Sequence, residues 1–168
     1  MRLAALVAMV CAFLLAGVPA SAQDQTPQEL FKKVLVADPK LASGVKRLLD
    51  TNAGFVSPTP VFADLTGDGK SDAVVTVDNG GAAGVIAAYV LTAEGSAKGD
   101  LQVALRNQSL YQGRVRVSGT TLTIAEPLWS RGDDVCCPRR AAERDYAWDA
   151  AKKAFTRRAT RTVSLLDR

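Results

Sequence analysis

The stretch DAVVTVDNGGAAGVIAAYVL, residues 72–91, holds two apolar runs around a glycine-rich turn. Ala73-Val74-Val75-Thr76-Val77 is dominated by β-branched residues, which suit a pleated, half-buried surface. Asp78-Asn79-Gly80-Gly81 supplies turn residues, and the following run Val85 to Leu91 is nearly all apolar. A short apolar run bounded by turn signals reads as a central strand. These two strands are expected to form the middle of a sheet.

The pattern continues downstream. Leu101-Gln102-Val103-Ala104-Leu105 alternates, as does Arg114-Val115-Arg116-Val117. Ser118-Gly119-Thr120 joins the latter to Thr121-Leu122-Thr123-Ile124 as a hairpin. Tyr146-Ala147-Trp148 and Phe155-Thr156-Arg157 form a last pair, linked by the polar turn Asp149 to Lys153. Connections this short leave no room for crossover helices, so the sheet should be mainly antiparallel.

Upstream the period changes. Thr26-Pro27-Gln28-Glu29 is a capping box with proline at the first helical position. Leu30, Phe31, Val34 and Leu35 follow at helical spacing. Asp38-Pro39 restarts the same grammar, with Leu41, Val45, Leu48 and Leu49 on one face, and Asn52-Ala53-Gly54 closes the second helix. Ser57-Pro58-Thr59-Pro60 is a connector. The chain therefore reads as an α+β domain, with helices over residues 26–52 and a mainly antiparallel β-sheet over 61–165. Leu30, Val34, Val45 and Leu48 are expected to cover a sheet centred on Val74, Val77 and Val85 to Leu91.

The first residues have another purpose. Arg2, the apolar run Leu3 to Val18, and Ala20-Ser21-Ala22 match the three parts of a secretory signal peptide, residues 1–22, cleaved after Ala22. The run is too short for a retained membrane anchor, so no transmembrane anchor is expected after processing. Cys11 lies inside that run, not at its end behind a small residue, and is discarded with the signal. A single domain, 23–168, then remains in the periplasm or outside the cell. Removing Arg2 takes the formal net charge from +4 to +3. Lys152-Lys153, Arg157-Arg158 and Arg161 are interleaved with Asp145 and Asp149. That pattern is a solvated strand face, not a nucleic-acid footprint.

Just before the first strand, ADLTGDGKSDAVV, residues 63–75, crowds three aspartates into nine positions. Oxygen-bearing Asp64, Thr66, Asp68 and Asp72 stand at positions 1, 3, 5 and 9 of a loop with Gly69 at position 6, and Lys70 offers its carbonyl at position 7. This is the first part of an EF-hand loop, where glycine allows the backbone to close on itself. Position 12 is Val75, inside a strand, where an EF-hand has glutamate. The stretch instead resembles the calcium loops of integrin-type FG-GAP and VCBS repeats, which run directly into a strand. That resemblance implies a structural Ca2+ held by Asp64, Thr66, Asp68, Lys70 and Asp72. The alternative is a polar turn with solvated aspartates.

RGDDVCCPRR, residues 131–140, contains the mature chain's two cysteines. Histidine is absent from the sequence, which rules out a cysteine–histidine catalytic pair and leaves too few ligands for a zinc site. In an oxidising compartment Cys136 and Cys137 should pair or find partners. Consecutive Cα atoms are only ~3.8 Å apart, short of the usual disulfide span. A vicinal disulfide, two buried thiols and an intermolecular link all remain open. Pro138 forces Cys137 into an extended conformation.

Asp133, Asp134, Cys136, Cys137 and Pro138, followed by Tyr146 and Trp148, resemble the LppP/LprE family of bacterial envelope lipoproteins. The aspartate loop and Gly80-Gly81-Ala82-Ala83-Gly84 fit the front half of that family. The resemblance implies an envelope location and brings no biochemical activity with it. The expected function is a non-enzymatic binding or structural module, its partner an envelope protein or a small ligand. Two alternatives are a hydrolase using Asp133 and Asp134 as an acid–base pair, and a thiol-redox protein using Cys136 and Cys137.

Overall fold

The computed structural model describes residues 26–96, 99–134 and 136–165. The expected signal segment 1–22, its cleavage point and Cys11 lie outside the described residues. Helix α1 (Pro27–Ala37) begins with the expected capping box: the Glu29 amide donates to Thr26 Oγ1 (3.3 Å), and the Thr26 amide donates to the Glu29 carboxylate (3.1 Å). Helix α2 (Ser43–Asp50) starts later than the Asp38-Pro39 signal predicts. Asp38 ends α1 instead, because its carboxylate is taken by the fork of Arg106, with Nη2 2.9 Å from Oδ1, and by the Lys40 amide at 3.1 Å. Burial pushes the Asp38 carboxyl up, but Arg106 and the Lys40 amide outweigh it and hold it below the usual carboxylate value. Without that side chain α2 has no side-chain cap, and the Ala42 amide donates to Gln108 Oε1 (2.6 Å).

The strands form two antiparallel sheets where the sequence suggested one. The first contains β1 (Phe55–Val56), β2 (Val61–Ala63), β3 (Asp72–Asp78), β4 (Val85–Thr92) and β5 (Gln102–Asn107), with β1 and β2 both pairing along β3. The second is a meander of β6 (Arg114–Ser118), β7 (Thr121–Leu128), β8 (Arg140–Asp149) and β9 (Ala154–Ser164). The chain changes sheet at residues 108–113. There the amides of Leu110 and Gly113 donate to the carbonyls of Ile86 and Val85 (both 2.9 Å). A side chain at Gly113 would meet Leu110 Cδ1 at 2.7 Å and the Val85 carbonyl oxygen at 3.2 Å, so a larger residue at this crossing would have to push Leu110 aside.

Three layers result, and the first sheet is the middle one. Val75, Val77, Tyr89 and Leu91 face the helices, against Phe31, Leu35, Val45 and Leu49. Alternate residues Val74, Ala88 and Val90 face the second sheet, against Leu122 and Ile124. A strand buried on both faces must be apolar at every position, which explains the composition of β4. The expected helical cover shifts accordingly: Phe31 is buried where Leu30 is 39% exposed, and Leu49 is fully buried where Leu48 is partly so. Val74 lies on the far side of the sheet from the helices. Among the described residues no helix is long and apolar enough to cross a membrane.

Candidate functional site

The aspartate loop shows how three carboxylates coexist. Asp64 accepts from the amides of Gly67 (2.7 Å) and Gly69 (3.0 Å), one on each oxygen. Asp72, buried at the start of β3, accepts from the amides of Leu65 (2.8 Å) and Thr66 (2.9 Å) through one oxygen. Asp68 accepts from the Lys70 amide at 2.9 Å. Gly67 and Gly69 sit at φ +78° and +83°, the left-handed conformation that turns these amides inward. N–H dipoles thus offset the negative charge, and buried Leu65 fastens the loop to the inter-sheet core. Among the described residues no three His, Cys, Asp or Glu side chains gather as a metal-holding group. Thr66 Oγ1 is buried without a hydrogen-bond partner among the described residues.

The cysteine loop connects β7 to β8. Cys136 and Cys137 form a vicinal disulfide across a Cα–Cα distance of 3.8 Å. The loop is tied on both sides of them. Asp133 accepts from the Ser130 amide (2.8 Å), and its other oxygen lies 3.5 Å from Arg139 Nε. The Cys137 amide donates to the Asp134 carbonyl (2.9 Å), and the Leu165 amide to the Arg139 carbonyl (2.8 Å). The Asp133 side chain, 4% exposed, is therefore committed to closing the loop, and Asp134 contributes its backbone to an isolated bridge with Cys137. Residues 23–168 should contain no free thiols as isolated and two after reduction in denaturant. Their melting temperature should barely move on reduction, since a cross-link stabilises according to the loop it closes. Two free thiols at isolation, or a dimer that dissociates on reduction, would contradict the bridge.

Beneath this loop the outer face of the second sheet is concave. Its residues alternate with those buried against the first sheet. Arg114 and Arg116 lie opposite Ala125 and Thr123, which lie opposite Glu143 and Asp145, and Glu143 lies opposite Arg161. Glu143 is 2% exposed, with Arg161 Nη2 at 2.5 Å and Arg116 Nη2 at 3.7 Å. Asp145 accepts from Arg161 and from the Thr123 hydroxyl (2.7 Å). The Arg161 guanidinium, and after it the Thr123 hydroxyl, hold the Asp145 carboxyl below its usual value. On the opposite face, turned toward the first sheet, Glu126 receives Arg144 at 3.3 Å and the Tyr111 amide at 3.1 Å. Between Arg114, Arg116, Glu143, Pro127, Cys136 and Pro138 lies a cavity of about 230 Å³.

Sequence reasoning named Cys136 at this cavity and missed Glu143, Glu126, Arg114, Arg116 and Arg161 as a group. The signal was a charged residue on the same strand face as its neighbours' opposite charges, visible only once the strands are in register. No family model, curated protein or solved structure matches the chain.

Proposed function

We propose that the chain is an exported module of the bacterial envelope that binds its ligand without converting it, and that the cavity under the cysteine loop is the binding site. The observation that carries this reading is the cavity itself, walled on one side by the disulfide loop and floored by a buried glutamate. Its buried carboxylate, Glu143, is held by Arg161, an arrangement that shapes a site and does not leave an acid poised for proton transfer. The resemblance of the Asp133 to Pro138 stretch to envelope lipoproteins, and the signal-like first residues, support the compartment.

Melting residues 23–168 against a panel of small acids, amines, sugars and neutral compounds should find at least one that raises the midpoint. Ala125→Leu, which fills the cavity, should abolish that effect. A panel without a stabilising member, or recovery of a compound chemically changed, overturns the reading. Protein recovered from the periplasm or medium should begin at Gln23 by mass.

A second reading, a structural Ca2+ on the aspartate loop, is favoured by the unpartnered Thr66 Oγ1 within the position 1, 3, 5, 9 spacing. Asp64, Thr66, Asp68, the Lys70 carbonyl and Asp72 would hold the ion, Asp72 through the oxygen that does not accept the Leu65 and Thr66 amides and the other carboxylates through their remaining lone pairs. An affinity near that of extracellular modules would stabilise by about 1 kcal/mol at millimolar calcium. A midpoint raised a few degrees by calcium and restored by chelator is expected. An unchanged midpoint in both leaves the loop closed by its amides alone.

A further inference from the structure

We infer that the cavity under the cysteine loop selects a small anion with a short aliphatic body, a carboxylate of about six carbons. This rests on the binding reading above and adds the ligand's class. Charge comes first. The cavity wall carries one carboxylate on this face, Glu143, and two guanidinium groups, Arg114 and Arg116. Arg161, from outside the wall, is shared between Glu143 and Asp145. Three arginines thus meet two carboxylates on this face, and one positive charge is in excess. Arg116 leans toward Glu143 at 3.7 Å with its side chain 58% exposed, and nothing among the described residues pairs with Arg114.

The geometry of the strands reinforces this. Arg114 and Arg116 are two apart on the edge strand β6, so both project from the outer face. Opposite Arg114 stands Ala125, a residue too small to fill the space before the guanidinium. A carboxylate there would receive charge-assisted hydrogen bonds, which arginine's fork forms with two oxygens at once. With Arg114, Arg116 and Arg161 set against Glu143 and Asp145, the face accepts a single added negative charge.

Size and polarity fix the rest. A volume of about 230 Å³ is the room of about eight water molecules at ~30 Å³ each. That is less than ordinary drug-sized pockets provide. Pro127, Pro138, Ala141 and Leu165 give the wall apolar surface, beside the polar Gln112 and Thr123. Eight non-hydrogen atoms, two of them carboxylate oxygens, satisfy both ends.

The test is calorimetric titration of residues 23–168 with hexanoate, hexylamine, 1-hexanol and inorganic phosphate at low salt. Hexanoate should bind, with the other three at least tenfold weaker. Arg114→Gln lies on an exposed edge and should melt near the parent, and Arg116→Gln somewhat below it because Arg116 also reaches Glu143, yet each should weaken hexanoate about tenfold. Equal binding of hexylamine or hexanol overturns the anion and leaves the binding module standing. Equal binding of phosphate overturns the aliphatic body. Hexanoate binding unaffected by both arginine substitutions and by Ala125→Leu places the ligand elsewhere and overturns the inference. If no probe binds, the inference fails, while the broader melting panel decides the binding reading separately.

Discussion

Leu49→Ala and Leu35→Ala are each expected to destabilise the protein by about 2–5 kcal/mol, lowering the midpoint by roughly 6–15 °C. Both side chains are fully buried between the helices and the middle sheet, against Val75, Val77, Tyr89 and Leu91. Neither can be covered by anything else, because the other face of that sheet is occupied by the second sheet. A native domain has only about 5–15 kcal/mol in total, so each change removes a large part of the margin. Leu30→Ala, one position before the buried face and 39% exposed, should cost about 0.5 kcal/mol or less. Urea melts of the three variants check this. Equal losses at Leu30 and Leu35 would mean that α1 presents the neighbouring face. Removing residues 26–50 altogether should expose the apolar face of β3 and β4 and cause aggregation; a soluble, cooperatively melting truncation would show that the helices are dispensable.

That one-residue difference shows how far sequence alone reaches. Helix α1 was legible because Thr26, Pro27 and Glu29 act locally, each on an atom within four residues. Which leucine faces inward was not, because Leu30 and Phe31 both fit the helical period and only the sheet beneath decides between them. The start of α2 failed for a similar reason. Asp38 is a sound helix cap by type, but Arg106, 68 residues away in sequence, holds its carboxylate.

The strands divide in the same way. Strand β4 was plain because both its faces are buried and every residue is apolar. Strands β8 and β9 run well beyond the two short segments that alternation picks out, to Arg140 at one end and Ser164 at the other. Their extra length is hidden by polarity. Strand β9 is an edge with arginines and threonines on both faces, and β8 buries a glutamate. An edge strand needs charge to discourage pairing with another chain, so the residues that protect the fold also conceal it. The candidate site was legible only through Cys136 and Pro138, which are unusual in themselves. Its charged members are ordinary residues that become informative through register.

Arg161→Ala tests that register directly. Arg161 reaches both Glu143 and Asp145 across the sheet, and Glu143 is 2% exposed. Removing a partner from a buried carboxylate costs about 3–5 kcal/mol when the pair is wholly enclosed. Arg161 is 40% exposed and Arg116 stays within reach, so water and the second guanidinium reduce the loss well below that of an enclosed pair. Replacing the carboxylate as well should recover much of it. In Arg161→Ala with Glu143→Leu no buried charge is left, and apolar replacement of a buried pair is often neutral. The double variant should therefore be at least as stable as Arg161→Ala alone, a coupling that independent sites would not show. Acid supplies a second signature. The Asp145 carboxyl lies below its usual value because Arg161 donates to it, so the native protein binds protons there less readily than the unfolded chain. Its contribution is complete above about pH 4, the unfolded value, and is lost as the pH falls through the native one. The parent should lose stability over that acid range, and Arg161→Ala should lose less. Urea midpoints at pH 7 and pH 3 for the parent and both variants decide it: additive losses with the same acid dependence would mean that Arg161 packs on this face without pairing with it.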